Sequence, residues 1–136
     1  MANIKYRVYL SESGWTGWVW DGDAAGNLDA AEDDFIQKIQ VRLSDAPGKT
    51  NVIYTAHLTG NLGWMGWVSG GQECGNADEG EFINIVSLQL LNNLDELSIS
   101  YHAYINEEGW TGWAKDGQYI GHATSRLEGI AIKIKE

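Results

Sequence analysis

Two groups of residues in this chain are spaced as though for chemistry. The first is the stretch DGDAAGNLDAAE at 21–32, where oxygen-bearing side chains fall at Asp21, Asp23, Asn27, Asp29 and Glu32 around Gly26. A calcium loop of the EF-hand kind uses that spacing, because hard cations gather oxygen ligands around a glycine turn. Ala25 breaks the series, and the flanking segments GWTGWVW and IQVRL predict strands where such a loop needs helices. The match is therefore read as accidental and no metal is expected. The second group is aromatic: GWTGW at 14–18, GWMGW at 63–67 and GWTGW at 109–113 hold six of the seven tryptophans. Flat aromatic faces stack on the C–H-rich face of a sugar ring or on another planar group.

The three tryptophan pairs mark an internal repeat, which sets the architecture. Upstream of each pair stand IKYRVYL, VIYTAHL and ISYHAYI. Downstream, glycine recurs at Gly22, Gly71 and Gly117, then again at Gly26, Gly75 and Gly121. Each copy closes on an apolar alternation, IQVRL, VSLQL or IAIKI. The copies cover about 4–45, 52–92 and 97–136 of one domain, 1–136, and the insertion LDAAEDD belongs to the first alone. Period-two alternation predicts strands throughout, with only a weak helical stripe at 28–34. Three small sheets that cannot bury their apolar faces singly predict an all-β, pseudo-three-fold domain, with a β-prism preferred to a β-trefoil.

Strand parity divides each tryptophan pair, since residues three apart point to opposite faces. Val19, Val68 and Ala114 share parity with Trp15, Trp64 and Trp110, which predicts these three tryptophans in the core. Trp18, Trp67 and Trp113 then face solvent, beside an outward triplet of Tyr9, His57 and Tyr104. A bulge at Gly17, Gly66 or Gly112 would cancel that parity. Asp21 and Asp116 stand ready to accept hydrogen bonds from ligand hydroxyls, and Gly22, Gly71 and Gly117 allow close approach to the backbone. The same Asp-Gly steps also suit plain turns. Gly70 replaces the aspartate in the second copy, so its site is expected to be the weakest or altered. Tyr6, Tyr54 and Tyr101 read as core residues.

Composition narrows the partners. Nineteen acidic against nine basic residues leave a net charge of −10, which argues against nucleic acid. No apolar run approaches membrane-spanning length, so no membrane insertion is expected. No signal segment follows Met1, which leaves a cytoplasmic chain or a secreted part of a longer precursor. The single cysteine, Cys74, excludes an intramolecular disulfide. His57, His102 and His122 are scattered between copies, and no nucleophile elbow or phosphate loop is present. Carboxylates are numerous enough for a glycosidase pair, yet three like units favour repeated binding over one catalytic centre. The expectation is a non-enzymatic module without cofactor. Its partners are glycans or cell-surface polysaccharide, with protein interaction or homo-oligomer assembly through the same aromatic patches as the alternative.

The chain resembles the clostridial hydrophobic repeat with conserved tryptophan, the ChW repeat, over nearly its whole length. The third copy carries most of the pattern: Tyr101, Gly109-Trp110, Trp113, Asp116-Gly117, Gly121 and the ending Leu127-Glu128-Gly129-Ile130 with Ile132. His57 supplies the family histidine in the second copy, while the first two copies lack the LEG ending. The resemblance implies a bacterial, often surface-associated protein that binds carbohydrate or cell surface. In the closing segment, Gln37, Asn84 and Glu128 are polar in every copy. That makes Glu128 a candidate to hydrogen-bond a ligand, although parity turns it inward.

Overall fold

The structure is a computed structural model and describes residues 1–29 and 32–136. Alternating side chains make its strands. In β1 (Asn3–Leu10), Ile4, Tyr6, Val8 and Leu10 are buried while the residues between them reach the outer surface. The first unit continues with β2 (Gly14–Trp15), β3 (Val19–Trp20), β4 (Ala25–Gly26) and β5 (Ile36–Ser44). The second holds β6 (Asn51–Leu58), β7 (Gly63–Trp64), β8 (Val68–Ser69), β9 (Glu73–Gly75) and β10 (Ile83–Leu91). The third holds β11 (Ser98–Ile105), β12 (Gly109–Trp110), β13 (Ala114–Lys115), β14 (Tyr119–Gly121) and β15 (Leu127–Lys135). The domain is all-β, with three antiparallel sheets. The stretch 28–34 carries no helix among its described residues. Ala30 and Ala31, at the centre of the LDAAE insertion, lie outside the described residues.

Each sheet is built by two units. The long first and last strands of one unit pair antiparallel, and its two short motif strands line the free edge of the first. The fifth strand comes from the next unit: β9 pairs with β5, β14 with β10, and β4 with β15. The last pairing returns to the first unit and closes the ring. Exchange in a cycle leaves every unit dependent on both neighbours, so the short strands survive as parts of larger sheets.

One apolar cluster at the centre draws on all three units. Tyr6, Tyr54 and Tyr101 are fully buried there, as their positions in the repeat predict. Their hydroxyls reach back to the glycine turns. Tyr6 donates to the Asp23 carbonyl, and Tyr54 donates to the Gln72 carbonyl while accepting from the Val41 N–H at 3.1 Å. The Tyr101 hydroxyl lies against the carbonyls of Gln118, Leu88 (3.0 Å) and Lys115 (3.2 Å). Burial pushes the Tyr6 and Tyr54 phenols up to about 12 and raises Tyr101 as well. Phe35, Phe82 and Arg126 hold corresponding places in the three units, each carbonyl accepting from the residue that follows the unit's first strand. They converge, the two rings edge-to-face at 5.3 Å and the guanidinium 5.2 Å from each.

Candidate ligand-binding faces

Backbone pairing decides where the tryptophans point. Trp15 lies opposite Tyr9 and Gly14 opposite Leu10, whereas Trp20 lies opposite Lys5 and Val19 opposite Tyr6. Thr16, Gly17 and Trp18 thus fill a span that Arg7 and Val8 fill on β1. The extra residue is a β-bulge, and the second and third units repeat it. Its effect is to cancel the alternation, so both tryptophans of a pair emerge on the outer face. The expectation that Trp15, Trp64 and Trp110 pack in the core is overturned. Trp64 and Trp110 are 50% and 39% exposed, much like Trp67 and Trp113 at 44% and 41%, and Trp15 and Trp18 are half-buried. The other inward assignments hold, with Val19 and Val68 packed against the core and Ala114 buried.

Threonine pins the bulge in two of the units. The Thr16 N–H donates to Val8 O at 2.9 Å while its hydroxyl accepts from the Val8 N–H at 3.2 Å, and Thr111 repeats this on Ala103. Met65 keeps the backbone bond to Ala56 O, and Thr55 supplies the missing hydroxyl by donating to Met65 O at 2.6 Å. The motif glycines behave differently. Gly17, Gly66 and Gly112 have no positive φ, and a Cβ on any of them would meet nothing within 4 Å. The fold does not require glycine there, yet all three copies have one between the two tryptophans.

The faces share a plan and differ in filling. Tyr9, His57 and Tyr104 point outward, as expected, and meet the first tryptophan edge-on at 5.4, 5.0 and 5.5 Å. In the first unit the Arg7 guanidinium sits between the pair, 4.3 Å from the Trp15 ring and 4.8 Å from Trp18. In the third, His102 takes the same place, stacked 4.1 Å from Trp110 and 3.7 Å from Trp113. Burial, and then the Lys133 ammonium, lower the pKa of His102, so a neutral imidazole is favoured there near neutral pH. Lys133 covers Trp113 at 4.0 Å, and Arg42 covers Trp18 at 5.4 Å. In the second unit these two positions are Thr55 and Gln89.

Compared with protein-family models, with curated proteins and with solved structures, the chain finds no match in any of the three. Its chemistry must be argued from its own faces.

Each face is a composite of two units. The turn after a tryptophan pair docks on the last strand of the preceding unit: Gly22 N–H donates to Ile132 O, Gly71 N–H to Val41 O and Gly117 N–H to Leu88 O. Gly22 therefore borders the face of Trp113, because its neighbour is the stem of Lys133. Gly71 borders the face of Trp18 through Arg42, and Gly117 that of Trp67 through Gln89. The sequence suggested Asp-Gly partners for tryptophans of the same copy; the seams add those of the next. Asp21 and Asp116 also stitch the seams, each accepting through one oxygen, from Ile134 N–H at 2.9 Å and Leu90 N–H at 2.7 Å. A shallow cleft of about 600 Å³ opens between these two carboxylates, with Ser100, Lys115 and Lys133 on its walls. Asn27 has a backbone task of its own, accepting from Asp29 N–H and donating to Glu32 O.

Glu128 is not on any face. It is 1% exposed, in a bulge of β15 that has counterparts at Gln37 and Asn84. Two of the three side chains seal unit seams: Gln37 donates to the Asp78 and Glu81 carbonyls and Asn84 to the Ala123 carbonyl. That burial corrects its assignment as a ligand-contacting residue. Oε1 accepts from Asn106, but Oε2 has no hydrogen-bond partner among the described residues. Burial, with Asp33 and Asp34 nearby, raises its pKa. Its contribution to stability is therefore full below the ordinary carboxylate range and is lost as pH rises through the raised folded value. Glu128→Gln, which copies Gln37, is expected to raise stability at neutral pH by about 1 kcal/mol and to lose that advantage in acid. Urea unfolding at both pH values measures it, and a neutral-pH loss would contradict the assignment.

The sequence did hold signals for what parity missed. Arg7, Thr55 and His102 occupy one position of the repeat, two residues before Tyr9, His57 and Tyr104. Tyr119 carried no such signal: it comes from the third unit on β14 and meets Trp64 edge-on at 5.4 Å.

Proposed function

We propose that the chain is a non-catalytic, lectin-like carbohydrate-binding module whose outer aromatic faces stack on sugar rings. The observation that carries this reading is the bulge, which turns every tryptophan pair outward and leaves four of the six rings 39–50% exposed. Exposed aromatic surface repeated in the second and third units is unfavourable unless it meets a ligand. Three further features support it: the glycines between the tryptophans that the fold does not demand, the turn glycines at the rims, and the cleft between Asp21 and Asp116. The partner class is a glycan or cell-surface polysaccharide, in line with the ChW-like pattern of the copies. Three separate sheets, each with its own paired long strands, favour a β-prism over a β-trefoil.

Shallow faces bind singly with low affinity and gain strength from joint engagement of one polymer. Trp18→Ala with Trp113→Ala removes the stacking ring from two faces and leaves Trp67. The double variant is expected to keep the wild-type circular dichroism spectrum and to lose glycan-array signal by about tenfold or more. Undiminished signal from a folded double variant would sink the reading.

The alternative, a protein-interaction or assembly module, draws on the second face, where Trp64, Trp67 and Tyr119 are all exposed. Exposed tryptophans serve as anchors in such interfaces. Quenching of tryptophan fluorescence by free sugars would favour the first reading, and a solution mass above 15.0 kDa the second.

A further inference from the structure

The three tryptophan pairs differ in one respect that identifies a ligand. Units one and three have two placements of their own groups on the pair in common, and unit one adds Lys5 at 5.0 Å from Trp18 and Lys38 at 6.0 Å from Trp15. A flat delocalised group lies between the rings: the Arg7 guanidinium at 4.3 and 4.8 Å, or the His102 imidazole at 4.1 and 3.7 Å. A cation from the last strand covers the outer ring: Arg42 at 5.4 Å from Trp18, or Lys133 at 4.0 Å from Trp113. The second unit has neither. Thr55 stands at the first position, too short to enter between rings, and its hydroxyl is committed to Met65 O. Gln89 stands at the second, with its amide oxygen over Gly117. Among the described residues, no ring or cation stacks on Trp67, while Trp64 meets His57 and Tyr119 only edge-on.

We infer that the second unit's tryptophan pair receives a guanidinium group from a partner, an arginine side chain of a basic protein segment. Guanidinium joins in one group the planarity and positive charge that Arg7 brings to the first unit's pair and that His102 and Lys133 divide between them in the third. The net charge of −10 draws such a segment toward the domain from a distance. The slot is the outer surface of the pair: His57 and Tyr119 meet Trp64 edge-on, Met65 is partly buried against the core, and Thr55 is 3% exposed. The site goes beyond the glycan reading and does not need it: it would stand even if no sugar bound at units one and three.

The test compares a capped tetra-arginine peptide with a capped tetra-lysine peptide of equal charge, titrated into the full chain with tryptophan fluorescence and calorimetry as readouts. The arginine peptide is expected to bind at a single site, about fivefold or more tighter than the lysine peptide. Trp67→Ala, a change at an exposed ring, is expected to weaken it by about tenfold. Thr55→Arg with Met65→Thr rebuilds the first unit's arrangement and is expected to fill the slot from within, abolishing the arginine preference. Arg7→Thr leaves Arg42 and Lys5 over Trp18 and is expected to keep the stoichiometry at one. Equal affinity for the two peptides would show bulk electrostatics and overturn the inference. So would full binding by Trp67→Ala, or peptide binding displaced by self-association of the chain. A glycan array run on the same Trp67→Ala protein keeps the two ligand classes apart, since lost sugar binding with retained peptide binding counts against the slot alone.

Discussion

Replacing Gly75 by alanine is expected to destabilise the domain by about 2–6 kcal/mol, enough to unfold a large share of it. The reason lies at the seam between units one and two. Gly75 ends β9, the strand given to the first unit's sheet, and has φ +126. A Cβ there would lie 2.1 Å from Gln37 O and 2.8 Å from Lys38 Cα. Both are backbone atoms of the β5 bulge, so nothing flexible can give way. Gly26 and Gly121 sit identically at the other two seams, with contacts of 2.1 Å to Glu128 O and 2.0 Å to Asn84 O. Gly22→Ala supplies a graded control: φ is +90, but the nearest atoms belong to the Lys133 stem at 3.7 Å, and about 1–3 kcal/mol is expected. Gly17→Ala should change stability by no more than about 0.5 kcal/mol, because its backbone is ordinary and its surroundings open. Denaturant midpoints for the three variants test the order. A loss at Gly75 no greater than at Gly22 would mean the seam can open to admit a methyl group.

That order reverses what the sequence puts forward. Gly17 stands inside the most conspicuous motif of the chain, whereas Gly75 is the second of two recurring glycines, to which its spacing assigns no role. Composition shows that a glycine recurs, but not whether backbone or ligand needs it. The strands and core positions were legible because period-two alternation is a local property, and Tyr6, Tyr54 and Tyr101 follow directly from it. The tryptophan pairs were not. Alternation carries Trp15 to the opposite side from Trp18 unless an extra residue intervenes. Only the pairing with Tyr9 at one end and Lys5 at the other reveals that residue. Strand exchange was equally hidden, since β4, β9 and β14 are too short for any periodicity. With it went the composite faces, where Gly22 belongs beside Lys133 and Tyr119 beside Trp64.

Ring closure also explains why units of one plan can carry unlike faces. Inward positions share one core drawn from all three units, so a change in one unit must suit the others. At outward positions 7 and 102 the side chain lies against the tryptophans, whereas Thr55 is bonded to Met65 O, and the three residues differ without disturbing the cycle. Arginine and histidine there brace a pair from within, and threonine leaves it to others. The second unit was expected to be altered because Gly70 replaces an aspartate. The larger difference is on its face, where both stacking positions have lost their flat or charged groups.

Between pH 10 and 12 the domain is expected to lose about 4 kcal/mol of stability through two tyrosines alone. In the unfolded chain each phenol ionises near its ordinary value of 10.0, while burial holds Tyr6 and Tyr54 at about 12 in the fold. The folded state therefore keeps protons that the unfolded state has released, and stability falls as pH rises across that window. Each tyrosine accounts for about half of that loss, and Tyr101 acts in the same direction. The structural cause is specific. A phenolate at Tyr54 would lose its donated bond to the Gln72 carbonyl and leave a charge in a fully buried site. Tyr54→Phe separates the effects: at neutral pH it should cost about 1–3 kcal/mol, since the Gln72 carbonyl and the Val41 N–H lose a partner. Above pH 10 the same variant should lose stability with a visibly shallower slope than wild type. Urea midpoints followed by tryptophan fluorescence, with phenolate absorbance recorded alongside, give both quantities. An unchanged slope in Tyr54→Phe would mean that the alkaline transition is driven from elsewhere, and the buried hydroxyls would then serve only to hold the turns.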